Sequence, residues 1–275
     1  MSRKIAFLFL WLLLISSLSV AQTAIAPAYP AYQFTSLDEI EHALKTAKIV
    51  KAKWLGTGIT NPRKLTLDNG KFQFHACFKT VNERKQGLTK LATGHEVDFK
   101  DSWMFEVAAY ELDKLLNLNM VPVTVERYYD GKRGSLQLWI ENAMTERERR
   151  EKNLEAVNTK DWNQQIFKVR LFDHLIYNID RNLGNLLITP DWKIYMIDHS
   201  RCFKNLEGLQ RPKDLSLFSR SLVQAIRKID EKSIKERCGN YLSTIEIRMI
   251  LKRRDKIVEL SETLMAKESD AVFYP

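Results

Sequence analysis

The first half of the chain contains short runs in which apolar and polar residues alternate, the pattern of strands with one buried face. Five such runs lie at 49–55, 63–67, 72–80, 121–129 and 134–140. Asp68-Asn69-Gly70 separates the second and third runs, and Asp130-Gly131 separates the last two, in each case with residues that favour tight turns. The pattern therefore predicts a β-meander followed by a second hairpin.

In other segments the apolar residues recur every three or four positions, as they do on one face of a helix. Near the start, Ser36 and Glu39 form the pattern of a capping box ahead of a short helix, and a longer helix is predicted at 102–116. Later segments with the same spacing are 166–175, 216–229, 232–242 and 244–265, and a strand pair at 185–188 and 194–197 interrupts them. The second half is thus predicted to be mostly helical.

The N-terminus has the organisation of a secretory signal peptide. Residues 1–15 combine a positively charged start with an apolar run that is shorter than the roughly 20 residues of a membrane-spanning helix. Ser19 and Ala21 are small residues at the positions that a signal peptidase reads, so cleavage is predicted after Ala21, with Ala24 and Ala26 as alternatives. We therefore expect export to a periplasm, an extracellular space or a secretory-pathway lumen. The alternative is an uncleaved anchor.

The order of the predicted elements indicates an α+β fold, with a β-rich lobe followed by an α-rich lobe. After the signal peptide at 1–21, we place a linker at 22–35, the N-lobe at 36–141 and the C-lobe at 142–275, with residues 136–142 as the connection. Apolar residues make up 45% of the sequence and aromatic residues 10%, which excludes a disordered chain and provides enough material for a core.

The chain is basic, with a formal net charge of +9 at pH 7. Removal of the signal peptide takes away Arg3 and Lys4 and no acidic residue, so the mature chain keeps a charge of +7. An excess of this size favours anionic partners and peripheral contact with anionic surfaces. The basic clusters lie in helical patterns, where a solvated helix face explains them, so nucleic acid is not expected as a partner.

Asp180, Asn185 and Asp198 are the candidates for chemistry in the second half. Asp180 and Asn185 are five residues apart, and Asp198 follows thirteen residues later, at the end of the apolar run 194–197. Phosphoryl transfer uses an aspartate that accepts the substrate proton, an asparagine that binds metal and a second metal ligand in this order. A loop aspartate is often only a turn residue, but the helix, loop and two short strands around these residues favour a catalytic site.

Lys79, Glu106 and two glycines are the candidates in the first half. Lys79 ends an apolar strand-like run, which would carry its ammonium into a cleft where it could pair the phosphates of ATP. Glu106 lies in the predicted helix at 102–116 and could orient Lys79 through an ion pair; the alternative is a surface acid. Gly56 and Gly58 lie between two strand-like runs and could close over phosphates through backbone N–H groups, unless they form an ordinary hairpin turn.

The blocks around these residues resemble the phosphatidylinositol 3-/4-kinase-like superfamily. The matching blocks, in the same order and spacing, are Phe78-Lys79, 106–113, Val121-Pro122, 178–185 and Ile197-Asp198. Within that superfamily, the chain is more similar to the secretory-pathway protein and glycan kinases typified by Golgi casein kinase and xylosylkinase. The resemblance covers about 56–258, which is most of the predicted mature chain.

The resemblance implies a two-lobed atypical protein-kinase-like fold and ATP-dependent phosphorylation of a hydroxyl on a protein, a glycan or a lipid, with Mg²⁺ or Mn²⁺. It implies that Lys79 and Glu106 hold ATP and that Asp180 is the base. It further implies that Asn185 and Asp198 hold the metal. The segment from Gln137 to Ile140 would form the hinge that lines the adenine pocket.

The chain also departs from the family pattern. Asn182 stands where lipid kinases usually carry His, and Asp198 is followed by His199-Ser200 rather than by Phe-Gly or Asn-Gly. We interpret His199 as filler rather than as a hydrogen-bond donor. Two other functions suit the same fold, a pseudokinase that binds nucleotide without turnover and an enzyme that transfers AMP. A base together with two metal ligands argues against the pseudokinase.

Overall fold

The computed structural model describes residues 33–56, 62–91 and 94–274. The predicted signal peptide, most of the linker at 22–35 and Gly58 lie outside the described residues. In the part of the chain that is described, no helix is both long and apolar enough to cross a membrane.

A five-stranded antiparallel sheet forms the centre of the first half. The strands of this half are β1 (Lys48–Trp54), β2 (Arg63–Asp68), β3 (Gln73–Lys79), β4 (Asn82–Leu91), β5 (Gly94–Ser102), β6 (Thr124–Tyr129) and β7 (Lys132–Leu138). Five of them form the sheet in the order β1-β2-β3-β7-β6, so β3, which ends at Lys79, lies in the middle. The predicted meander and hairpin are confirmed, and Gly70 and Gly131 supply positive φ values of 84° and 72° at the two turns.

Strands β4 and β5 form a separate hairpin that the sequence pattern does not predict. Most residues of β4 are exposed, so the alternation of buried and exposed positions that marks a half-buried strand is absent. Ion pairs to the second half hold the hairpin instead. The Glu96 carboxylate contacts Arg201 and Lys204. Lys100 donates a hydrogen bond of 2.7 Å to the fully buried Glu246.

The described part of the first half contains two helices, α1 (Leu37–Thr46) and α2 (Trp103–Leu116). Ser36 caps α1 by accepting a hydrogen bond of 3.1 Å from the Glu39 backbone N–H, as predicted. The Glu39 carboxylate, however, accepts from the Thr35 backbone N–H at 2.8 Å, so the capping box is shifted by one residue on this side. Ser102 caps α2 by accepting from the Met104 N–H at 3.2 Å, which joins the helix directly to the end of β5.

Asp113 ties the end of α2 to the return of the chain into β6. Its buried carboxylate accepts hydrogen bonds from the backbone N–H groups of Asn119 at 3.0 Å, Met120 at 2.8 Å and Val121 at 2.9 Å. Asn117 ends the helix in the left-handed conformation, with a φ of 52°. These contacts give α2, and the Glu106 that it carries, a defined position beside the sheet.

The second half is mostly helical, as predicted. Its helices are α3 (Glu146–Glu151), α4 (Thr159–Ile176), α5 (Arg220–Lys228), α6 (Glu231–Cys238) and α7 (Thr244–Glu268). Its strands are β8 (Met144–Thr145), β9 (Leu186–Ile188), β10 (Ile194–Met196), β11 (Phe218–Ser219) and β12 (Phe273–Tyr274). The predicted strand pair is present as β9 and β10, and β8 extends it into a small sheet in the order β10-β9-β8.

Two helices begin at other residues than the apolar spacing predicts. Helix α4 starts at Thr159 rather than at residue 166, because the Asn158 side chain caps it seven residues earlier. The helix predicted at 216–229 starts only at Arg220, because the preceding residues form β11 and pair in parallel with β12. This pairing joins segments more than 50 residues apart, which local periodicity does not reveal.

The fold is the α+β arrangement of two lobes that the sequence predicts. Buried apolar side chains form one cluster that runs from the sheet and the first two helices into α4, α5 and α7. Helix α2 also contacts α5 and α6, so it lies between the two lobes. The chain passes from β7 to β8 through residues 139–143. The lobe boundary at 141/142 stays a prediction.

Gly134 in β7 lies where a side chain has no room. A Cβ at this position would lie 2.3 Å from the carbonyl oxygen of Lys79 and 2.8 Å from the Phe78 ring. We predict that Gly134→Ala lowers the free energy of unfolding by about 1–3 kcal/mol, because the backbone must move to relieve the overlap. Denaturant unfolding of the purified variant measures this change.

Gly208→Ala is the matched control, because a Cβ at Gly208 would meet no atom of the described residues within 4 Å. Its free energy of unfolding should stay within about 0.5 kcal/mol of the wild type. Equal stability of the two variants would contradict the close packing of β7 against β3.

Candidate active site

Lys79 lies between two carboxylates from other parts of the chain. Its Nζ atom is 2.6 Å from Oε1 of Glu106 on α2 and 2.8 Å from Oδ1 of Asp198, which follows β10. Alternation along β3 places Phe78 in the core and turns Cys77 and Lys79 to the opposite face. The structure therefore brings together the predicted phosphate-binding lysine, its predicted partner and a predicted metal ligand.

The charges of this cluster stabilise one another. Burial by itself would lower the pKa of Lys79, but the carboxylates of Glu106 and Asp198 raise it above its ordinary value. Burial would raise the pKa of Glu106, but Lys79, and then His199, hold that pKa well below its usual range. Both partners of the ion pair are therefore charged at neutral pH.

Asp180 presents an available carboxylate on the loop that leads to Asn185. The residue is exposed, and in the described part of the chain its carboxylate takes part in no ion pair. The Asp180 backbone N–H donates to Oδ1 of Asn178 at 3.0 Å, and its carbonyl oxygen accepts from Nδ2 of Asn185 at 2.9 Å. The loop backbone is thus held on both sides of Asp180 while its side chain stays open to a partner.

Asp198 has a left-handed backbone conformation, with a φ of 62°. This conformation is uncommon for a residue other than glycine and persists only where the surroundings hold it. Its neighbours supply that support. The Ile197 N–H donates to the Asn185 carbonyl at 3.1 Å, and the His199 N–H donates to Oε2 of Glu106 at 3.0 Å. The first of these bonds also sets the two predicted metal-binding residues next to one another.

Asn185 and Asp198 can supply oxygen ligands to one divalent cation. Nδ2 of Asn185 donates to the Asp180 carbonyl, so the side-chain oxygen is the atom of this amide that would face a cation. Among the described residues there is no group of three or more His, Cys, Asp or Glu side chains that could hold a metal by themselves. Mg²⁺ in phosphoryl-transfer sites is bound by one or two protein oxygens together with substrate phosphates, so this pair fits such a metal.

The other residues predicted to bind nucleotide lie outside this cluster, in different environments. Gly56 follows β1 with a φ of 66° and is the last described residue before 57–61, while Gly58 lies outside the described residues. Gln137 is buried and faces Cys77 across the β3–β7 pairing, with its Nε2 donating to Oγ1 of Thr124 at 2.9 Å. Ile140 is 7% exposed and follows the end of β7. The hinge role of Gln137 and Ile140 stays a prediction.

Arg181 is a residue whose role the sequence pattern does not reveal. Its guanidinium pairs with both oxygens of Asp173, at 2.9 and 3.0 Å. Its Nη1 donates to the carbonyl oxygens of Asn185 at 2.8 Å and Ile197 at 2.7 Å. A side chain with five fixed donors is suited to such a junction, and here it holds the backbone beside both predicted metal ligands.

The interpretation of His199 as filler is wrong. The ring is fully buried, and its Nε2 lies 3.0 Å from Nη2 of Arg181. Its Nδ1 lies 3.6 Å from Oε2 of Glu106. Burial lowers the pKa of His199 below its ordinary value although the Glu106 carboxylate opposes this shift. His199 therefore contacts both the loop that carries Asp180 and the ion pair of Lys79.

Asp101 is a further acidic residue near the site that the sequence pattern does not mark. It is 7% exposed, and burial raises its pKa although the Ser200 hydroxyl opposes the shift. The next residue, Ser102, donates from its backbone N–H to the Ser200 carbonyl at 2.9 Å. The end of the unpredicted hairpin thus contacts the segment that follows Asp198. The polar character of β4 and β5 hid this connection.

We predict that the Lys79–Glu106 pair contributes to stability over a wide pH window. The pKa of Glu106 is depressed in the folded state, so its contribution is present above the unfolded pKa of about 4.3 and is lost as the pH falls below it. The pKa of Lys79 is raised, so its contribution is lost only above about pH 10.4.

The difference in free energy of unfolding between the wild type and Glu106→Gln, measured by denaturant titration at several pH values, tests this. The difference should stay level between about pH 5 and pH 10 and shrink below about pH 4. Lys45→Gln serves as control, because the Lys45 side chain is 55% exposed and its ammonium lies 3.7 Å from the Glu41 carboxylate. A Glu106→Gln difference that grows on acidification would contradict the depressed pKa.

No protein-family model matches the chain, and no curated protein sequence matches it. Solved structures do match. A hydra Fam20 structure with sugar aligns with a TM-score of 0.66 at 15% identity, covering 86% of this chain and 92% of that one. The Golgi casein kinase with Mn/ADP bound aligns with a TM-score of 0.61 at 17% identity, covering 86% and 77%.

A bacterial structure belongs to the same group of matches. The Helicobacter pylori proinflammatory kinase CtkA aligns with a TM-score of 0.52 at 14% identity, covering 82% of this chain and 98% of that one. At these identities the likeness concerns the fold, which is the Fam20-like kinase fold. The wider phosphatidylinositol-kinase label stays a prediction.

Proposed function

We propose that the protein is a metal-dependent phosphotransferase that moves the γ-phosphoryl group of ATP to a hydroxyl on a protein, a glycan or a lipid. One observation carries the proposal. A single ammonium, that of Lys79, is shared by Glu106 and Asp198 at 2.6 and 2.8 Å. Together with a kinase-like fold, this is the arrangement that phosphoryl transfer uses to hold a nucleotide and its metal.

Lys79 would bind the phosphates of ATP, and Glu106 would orient it. The Lys79 side chain is 12% exposed and that of Glu106 is 2% exposed, so Lys79 stays accessible to a ligand while its partner is buried. Glu106 has a second fixed contact, the His199 backbone N–H at 3.0 Å. A lysine with so few conformations available is preorganised for the charge that develops on the transferring phosphoryl group.

Asn185 and Asp198 would hold Mg²⁺ or Mn²⁺ together with the nucleotide phosphates. Such a metal, when bound, neutralises charge on the β- and γ-phosphates during transfer. Oδ1 of Asp198 is in contact with Lys79. Lys79 and the metal would therefore act on the same nucleotide. A Golgi casein kinase of similar fold has been solved with Mn/ADP bound, which supports this assignment.

Asp180 would accept the proton of the acceptor hydroxyl. A general base must lie within hydrogen-bond reach of the proton that it removes, and the Asp180 side chain, which is exposed and makes no ion pair with the described residues, permits this approach. The acceptor classes remain protein, glycan and lipid. A similar fold solved with sugar supports a glycan, and one named casein kinase supports a protein.

Export by the predicted signal peptide remains part of the proposal. It would deliver the enzyme to a periplasm, an extracellular space or a secretory lumen, where ATP and the acceptor must both be present. The basic charge of the chain supports acceptors or surfaces of negative charge.

Separate roles for Asp180 and Asp198 lead to different mutant phenotypes. We predict that Asp198→Ala abolishes Mn²⁺-dependent binding of ADP, because it removes a metal ligand, whereas Asp180→Ala leaves binding nearly intact and lowers turnover by at least about 100-fold. Calorimetric titration of ADP with and without Mn²⁺ measures the first effect, and release of labelled phosphate from ATP measures the second.

Asp191→Ala is the matched control, because Asp191 is an exposed aspartate in the turn between β9 and β10. It should change neither binding nor turnover. Equal loss of ADP binding in the Asp180 and Asp198 variants would contradict the assignment of roles.

Labelled ATP distinguishes the proposed transfer from its alternatives. We predict that the mature chain, incubated with Mg²⁺ or Mn²⁺ and extracts of exported proteins and glycans, transfers label from γ-labelled ATP and none from α-labelled ATP. Transfer of the α-label would identify an AMP transferase. Binding of ATP without transfer of either label would identify a pseudokinase. The Asp180→Ala variant is the negative control for each extract.

A further inference from the structure

We propose that His199 is a positioning residue that links Arg181 to Glu106. His199 would fix the position of the Lys79–Glu106 pair, which would hold ATP, relative to the loop that carries Asp180. The kinetic consequences of this role rest on the proposed function, whereas the position of the proton on the ring does not. The residue that follows the predicted metal ligand would thus be a functional departure from the family pattern.

The contact with Arg181 determines which ring nitrogen carries the proton. A guanidinium only donates hydrogen bonds, so Nε2 of His199, at 3.0 Å from Nη2 of Arg181, must accept. In a neutral imidazole the other nitrogen then carries the hydrogen. Nδ1 is therefore an N–H group, and the carboxylate oxygen Oε2 of Glu106 lies 3.6 Å from it.

Nδ1 has no other partner in the described part of the structure. The atom is buried and makes no hydrogen bond there. Oε2 of Glu106 already accepts from the His199 backbone N–H at 3.0 Å, so one residue approaches the same oxygen with two N–H groups. The ring and the backbone of His199 together limit where the Glu106 carboxylate can lie, and the other oxygen of Glu106 holds Lys79.

Arg181 connects this ring to the rest of the site. Its five N–H groups all have acceptors, namely the two Asp173 oxygens, the carbonyls of Asn185 and Ile197, and Nε2 of His199. Removal of the ring nitrogen would leave one buried donor of this junction without an acceptor. The junction would then lose its connection to the Lys79–Glu106 pair.

Filling of space does not require these nitrogens. The ring packs edge to face against Phe172, with centroids 6.3 Å apart, and an aromatic ring of carbon atoms would keep this contact. The two polar contacts at opposite ends of the ring are what only histidine provides at this position.

Three substitutions separate the two ends of the ring. In His199→Asn, the short side chain places an amide donor near the position of Nδ1 and has nothing at Nε2. In His199→Gln, the longer side chain places an amide oxygen near Nε2 and leaves the contact with Glu106 unmade. His199→Phe keeps the aromatic packing and loses both contacts.

Loss of the contact at one end of the His199 ring should affect nucleotide binding, and loss of the contact at the other end should affect turnover. We expect His199→Gln to weaken binding of ADP with Mn²⁺ about tenfold, with turnover of saturating ATP within about threefold, because Glu106 no longer holds Lys79 as firmly. We expect His199→Asn to lower turnover about tenfold, with binding within about threefold. Tenfold is the lower end of the loss seen when outer partners of a site are removed. His199→Phe should show both losses.

His174→Asn is the matched control for loss of a buried histidine. His174 is 5% exposed, and its ring nitrogens lie 2.9 Å from the Arg170 carbonyl and 3.1 Å from the Arg211 carbonyl, neither of which belongs to the candidate site. This variant should lower the melting temperature without changing ADP binding or turnover more than about twofold. Proportionate losses of stability, binding and turnover in all three His199 variants would overturn the positioning role, as would three variants with wild-type kinetics.

The ring proton is tested without reference to activity. The chain has five histidines, so ¹⁵N-histidine labelling gives a simple spectrum, in which the signal missing from His199→Phe identifies His199. We expect a neutral ring with its proton on Nδ1 at pH 7. A proton on Nε2, or a charged ring, would overturn the link even if the enzyme is active. A wild type that neither binds ADP nor turns over ATP would refute the proposed function. The position of the ring proton would then still decide whether His199 links Arg181 to Glu106.

Discussion

The ion pairs of Lys79 with Glu106 and Asp198 are the interactions on which the rest of the site depends. Burial of an ammonium costs free energy unless carboxylates pair with it, and burial of a carboxylate costs free energy unless a cation pairs with it. The three residues come from the central strand of the sheet, the helix between the lobes and the end of β10. The fold must therefore hold three distant segments in contact, and the two lobes meet at this cluster.

The second requirement is a backbone that brings Asp198 to Lys79. The left-handed conformation of Asp198 would be unfavourable in isolation, and hydrogen bonds on both sides of it offset that cost. Arg181 holds the carbonyl of the preceding residue, Glu106 accepts from the following N–H, and Ser102 donates to the carbonyl of Ser200. The same few side chains thus hold both the charged groups and the backbone around Asp198. A substitution at one of them is therefore expected to disturb both.

The likeness to Fam20, Golgi casein kinase and CtkA structures concerns the fold, since the identities lie between 14% and 17%. The residues of the site support the proposed function independently of this likeness. Lys79 paired with Glu106 and Asp198, the side-chain oxygen of Asn185 and the exposed carboxylate of Asp180 form a set that phosphoryl transfer uses, whereas a binding module has no chemical need for all of them. Fold and site together support a kinase, and the acceptor depends on surfaces that neither of them specifies.

Periodicity and turn residues in the sequence predicted the meander, the second hairpin and most of the helices, because these features follow from local patterns of apolar positions. Spacing and the family resemblance indicated Lys79, Glu106 and Asp198, which the structure brings into contact. The roles of these and of the other candidate residues stay predictions. Tertiary structure alone decided the β4–β5 hairpin, the pairing of β11 with β12 and the roles of Arg181 and His199. The hairpin is polar and is held by ion pairs such as Lys100–Glu246, between residues 146 positions apart. His199 looked like filler because its partners, Arg181 and Glu106, are 18 and 93 positions away. Polar contacts over such separations leave no periodic trace, since each depends on where the folded chain places a single donor and a single acceptor.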